Sequence, residues 1–93
     1  MLDGKIGQVL GPFDAGVDLL DDQAPIGVFV PGTARPVLFK LGIQAEEGTQ
    51  VLINNASVKI GKTGIYELDN IVKITSLIFV DETNTSTLVD FVY

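Results

Sequence analysis

Paired acidic residues are the side chains in this sequence best suited to chemistry. Glu46 adjoins Glu47, and Glu67 lies two positions before Asp69. Two carboxylates in different environments can act as general acid and general base, provided that they converge in a cleft and that at least one has a raised pKa. The Glu-Glu pair precedes Gly48, which is typical of a solvated turn, and Glu67 is expected on the polar face of a strand. We therefore expect no enzyme activity and no catalytic residue.

Histidine and cysteine are both absent from the chain. Their absence excludes Ser-His-Asp and Cys-His nucleophile systems, and it removes the commonest proton shuttle. It also removes ordinary zinc, copper and iron sites, thiolate metal sites and disulfides. We predict no cofactor and no resident metal ion.

Four aspartates near the start of the chain have the oxygen chemistry that calcium prefers. Their spacing does not match the D-x-D-x-D-G calcium loop, and solvated loop charge is the simpler interpretation. Whether this acidic segment binds a cation stays open at this point. The four residues are Asp14, Asp18, Asp21 and Asp22.

The segment from Ala56 to Thr63, ASVKIGKT, fits a loosened phosphate-loop pattern in which Ala replaces the first Gly. That loop must follow a strand and open a helix, where its backbone amides hold phosphate. Here Val58 and Ile60 alternate with polar residues, and a strand-like stretch begins at Gly64. The pattern favours a hairpin turn over a nucleotide site.

Length and charge limit the function further. The chain has 93 residues and a net charge of −6, which fits one domain and argues against nucleic acid or an anionic membrane as partner. The beginning of the chain lacks the basic and apolar regions of a signal peptide. The longest apolar run, Leu77–Val80, is far shorter than the ~20 residues that span a bilayer. We expect a soluble protein.

Alternating apolar residues, many of them branched at Cβ, predict strands throughout the chain. One stripe runs through Ile26, Val28 and Val30, and another through Val37, Phe39, Leu41 and Ile43. Turn residues at 54–56, 62–64 and 69–70 separate three short strands, as in a meander or sandwich. These strands are Gln50–Ile53, Val58–Gly61 and Ile65–Leu68.

Two further stretches are apolar on both faces, Ile71–Val80 and Thr87–Tyr93. Such strands need cover on both sides, from this chain or from a partner chain. Weak strands are predicted at Lys5–Leu10 and Val17–Leu20, within a partly irregular arm formed by residues 1–24. The predicted fold is a single all-β domain over residues 1–93, an antiparallel β-sandwich or short barrel of about seven to nine strands.

A little over half of the chain resembles a family of virion proteins. Its order of motifs is similar to that of small all-β virion-associated structural proteins of tailed phages and prophages of Gram-positive bacteria. The most specific elements are the octet Gly61–Leu68 and the ending Val89–Tyr93. The segments that carry the resemblance are 39–45 (FKLGIQA), 48–54 (GTQVLIN), 60–68 (IGKTGIYEL), 74–77 (ITSL) and 89–93 (VDFVY).

The resemblance implies a non-enzymatic structural or assembly protein of a bacteriophage particle: a head decoration, head fibre or tail component. It implies a protein made in the host bacterial cytoplasm that ends in the virion, with itself and other virion proteins as partners. The two-faced strands predict an oligomer interface at Leu77, Phe79, Phe91 and Tyr93. The alternative is a monomeric glycan- or receptor-binding β-module, with a host-surface glycan as ligand.

Overall fold

The computed structural model describes residues 5–21, 23–29, 36–68 and 73–93. Within these residues the chain forms seven strands and one short helix, which confirms the all-β fold. The elements are β1 Ile6–Leu10, α1 Pro25–Phe29, β2 Lys40–Gln44, β3 Gln50–Ile53, β4 Ala56–Lys59, β5 Ile65–Leu68, β6 Leu77–Phe79 and β7 Leu88–Val92.

The strands form two antiparallel sheets arranged as a sandwich. The first sheet has the order β1-β7-β2-β5, and the second has the order β4-β3-β6. Side chains of β2, β3, β6 and β7 are buried between the sheets, while Val9, Val58, Tyr66 and Leu68 of the other strands are partly buried against them. Together with residues of the connecting segments they form one core. This core contains Phe13, Leu19, Leu20, Ile26, Leu38, Leu41, Ile43, Val51, Ile53, Ile60, Ile74, Leu77, Phe79, Val89 and Phe91.

The last strand lies inside the first sheet. β7 pairs with β1 on one side and with β2 on the other, so its backbone is hydrogen-bonded along both edges. The sequence indicated that this apolar segment needs partners, and the structure supplies them within the subunit.

The β3–β4 hairpin follows directly from its turn residues. Ile53 pairs with Ala56, and the two residues between them, Asn54 and Asn55, have φ angles of 51° and 68°. A two-residue turn with both φ angles positive matches the twist of the strands, and Asn tolerates that conformation. The segment that resembles a phosphate loop is therefore β4 and the following turn, as expected.

The strand predicted through Ile26 and Val28 is wrong, because this segment forms the helix α1. Proline is well suited to the first position of a helix, and Pro25 occupies it here. The amides of Ile26 and Gly27 both donate to the carbonyl oxygen of Leu19, at 3.1 and 3.2 Å. Val30 and the predicted turn that follows it lie outside the described residues.

The long strand predicted over Ile71–Val80 is much shorter in the structure. Residues 71 and 72 lie outside the described residues, as do 69 and 70. From residue 73 onward the backbone is held by Asn54, whose side-chain oxygen accepts from the amides of Thr75 and Ser76 at 2.8 and 3.2 Å. Ile74 makes an isolated bridge with Leu38, and the regular strand β6 comprises only Leu77–Phe79.

Phe13, Leu19 and Leu20 of the segment predicted to be an irregular arm belong to the core, although little of its described part, residues 5–21, is regular. β1 confirms the strand predicted at Lys5–Leu10, whereas the one predicted at Val17–Leu20 is reduced to an isolated bridge between Asp18 and Ile78. The carboxylate of Asp18 accepts from the amides of Leu20 and Leu77, both at 3.1 Å.

Candidate functional site

The solvent-facing side of the four-stranded sheet is the candidate site, and we call it the outer face. Since side chains alternate along a strand, the pairing register places its residues in three rows that cross the sheet. The first row is Ile6, Val92 and Lys40; the second is Gln8, Asp90, Gly42 and Glu67; the third is Leu10, Leu88, Gln44 and Ile65.

Large apolar side chains lie in the first and third rows of the outer face. Ile6 is 78% exposed, Leu10 66% and Ile65 48%. Leu88 and Val92 lie between them on the central strand β7 and are half-buried. Covering such a side chain completely is worth about 1.5–3 kcal/mol. A partner that covers these side chains would therefore bind with the free energy gained from burying their apolar surface.

The middle row of the outer face is charged and encloses a shallow groove. Gly42 has no side chain, and the carboxylate of Asp90 lies over the position that a Cβ atom would take. Glu67 flanks Gly42 on its other side, in the register of β2 with β5. The groove has a volume of about 490 Å³, and Lys40 also lines it. The face thus combines apolar residues in its first and third rows with two carboxylates in its middle row and one lysine in its first row.

A second, smaller cavity lies between the 46–49 turn and the loop before β7. It has a volume of about 290 Å³ and polar walls that include Glu46 and Glu82. Asn84 uses its side chain within this loop: its nitrogen donates to Glu46 at 2.5 Å, and its oxygen accepts from the amide of Ser86 at 3.0 Å. These hydrogen bonds hold the loop in place, which gives the side chains of Glu46 and Asn84 a structural role.

The residues predicted to form an oligomer interface lie elsewhere. Leu77 and Phe79 are 0% exposed and Phe91 is 2% exposed, because all three point into the core. Tyr93 is half-buried, with its ring centroid 5.8 Å from that of Phe91. Leu77, Phe79 and Phe91 are therefore core residues of the subunit, and only Tyr93 of this set is accessible to a partner.

The exposed apolar residues of the outer face were missed for a simple reason. When both sides of a strand are apolar, the sequence of that strand does not determine which side faces the subunit's own core. Ile6 and Ile65 belong to strands whose side chains alternate only weakly between apolar and polar. The signal that could have found them is the register between strands, which the sequence does not contain.

The predicted acidic candidates are not brought together. Glu67 lies on the outer face and Glu46 in the polar cavity, while Asp69 and Asp22 lie outside the described residues. Within the described part of the chain, no group of three acidic residues is placed to hold a metal ion. Among the same residues, no helix is long and apolar enough to cross a membrane.

Comparisons with protein-family models, with curated proteins and with solved structures find no match to this chain. The fold and the site therefore define the class by themselves. It is an all-β, two-sheet domain whose four-stranded sheet presents an apolar and charged face to the solvent.

Proposed function

We propose that this protein is a non-enzymatic structural protein of a bacteriophage particle, and that it associates with itself through the outer face. The observation that carries the proposal is the exposure of Ile6, Leu10 and Ile65 on one side of one sheet. Ile6 lies beside Val92 and Leu10 beside Leu88 in the register of β1 with β7. Exposed apolar side chains grouped in this way mark interaction sites on folded domains.

The segments that carry the resemblance to virion proteins belong to both sheets. Segments 39–45, 60–68 and 89–93 contain β2, β5 and β7, three of the four strands of the sheet that bears the outer face, and segment 48–54 contains β3 of the other sheet. A structural protein works by repeated contact with copies of itself, for which a broad, nearly flat sheet face is well suited.

The shape of the site favours contact over catalysis. Asp90 and Glu67 lie on an open sheet face, where water reaches both carboxylates. Carboxylate catalysis takes place in clefts that enclose most of the substrate, and an open face does not enclose one. The polar groups of the outer face are better used to orient a partner.

The test is sedimentation velocity of the purified chain at concentrations from about 5 to 500 µM, a range that covers weak assembly contacts. We expect the average mass to rise with concentration. Replacing Ile6 and Leu10 together with Ser should abolish that rise, while the far-ultraviolet spectrum stays that of the wild type. A wild type that stays monomeric throughout, or a variant that associates equally well, would contradict the proposal. A monomer would favour the glycan- or receptor-binding module instead.

A further inference from the structure

We draw no further inference here: the strongest candidate, the groove above Gly42 on the outer face of the four-stranded sheet, belongs to the site already described, and nothing in the structure shows what covers it.

Discussion

The two sheets of this protein have similar inner faces and different outer faces. On the three-stranded sheet, the edge strand β4 presents exposed Ser57 and Lys59 to solvent. The outward apolar residues of that sheet, Leu52 and Ile78, are half-buried. On the four-stranded sheet, Ile6 and Leu10 are exposed by 78% and 66%.

This difference separates the apolar residues that the fold requires from those that it does not require. Both inner faces must be apolar, because the core depends on them. Nothing in the fold requires apolar residues on an outer face, and the three-stranded sheet shows that half-buried and polar residues suffice there. The exposed Ile and Leu side chains of the other sheet are the observation behind the proposed self-association.

The largest expected effect contrasts an inner with an outer residue of the same strand. Phe79 is 0% exposed and stacks on Phe13 with a centroid distance of 5.3 Å. Phe79→Ala should lower the free energy of unfolding by about 3–5 kcal/mol, and Ile78→Ala on the outer side by about 1 kcal/mol. Urea denaturation measures both changes. Equal losses would contradict the division into inner and outer faces.

A smaller effect concerns how the three-stranded sheet is held together. Asn54 and Asn55 both have positive φ angles, which glycine adopts freely, but only the side chain of Asn54 bonds to the 73–76 backbone. Asn54→Gly should cost about 1–2 kcal/mol of unfolding free energy, and Asn55→Gly less than about 0.5 kcal/mol. Thermal and urea unfolding of the two variants measure the difference. Similar losses for both would show that the turn conformation matters and the Asn54 bonds do not.

The third prediction compares exposed apolar residues of the two sheets. Leu10→Ser and Val80→Ser each remove an exposed apolar side chain, so each should change the free energy of unfolding by less than about 1 kcal/mol. Only Leu10→Ser should weaken self-association in sedimentation velocity, because Val80 lies just beyond β6 and away from the outer face. A matching loss of association from Val80→Ser would remove the distinction between the sheets.

The smallest expected effect on stability is at the centre of the outer face. In Gly42→Ala the new methyl group meets the Asp90 carboxylate, the end of a side chain that can rotate away. We expect the free energy of unfolding to change by less than about 1 kcal/mol, and the proposed self-association to weaken several-fold because the carboxylate moves outward on the outer face. Gly61→Ala is the control, since nothing lies within 4 Å of its added Cβ atom. An unchanged Kd for Gly42→Ala would argue against close contact at the groove.

Local patterns predicted much of this fold. β3 and β5 lie where alternation and turn residues placed them, and β1 and β7 agree within one residue at each end. The hairpin turn at Asn54 and Asn55 was also predicted, because the required conformation suits those two residue types. In each case the cause lies within a few neighbouring residues.

Other elements could not be predicted, because their cause lies far along the chain. The helix at Pro25–Phe29 is anchored by the carbonyl oxygen of Leu19. The shortened β6 depends on Asn54, which bonds to backbone about 20 residues away. The apolar residues Ile26 and Val28 are compatible with a strand as well as with a helix. The hydrogen bonds to the carbonyl oxygen of Leu19 decided in favour of the helix.

For the candidate site, the chemistry of the residues was visible and their arrangement was not. Lys40, Gly42, Glu67 and Asp90 are ordinary residues of three separate strands. Gly42, Glu67 and Asp90 lie in the middle row of the outer face, and Lys40 lies in the first row next to it. This arrangement depends on the position of β7 between β1 and β2 and on the registers of the paired strands.

The amino-acid sequence by itself determined an all-β domain, the absence of histidine and cysteine chemistry, and the turns at 54–55 and 62–63. These properties follow from composition and from alternation between neighbouring residues. The tertiary structure alone decided which apolar residues are core and which remain on the outer face. Each strand has two sides, and only pairing with distant strands determines which of them is covered.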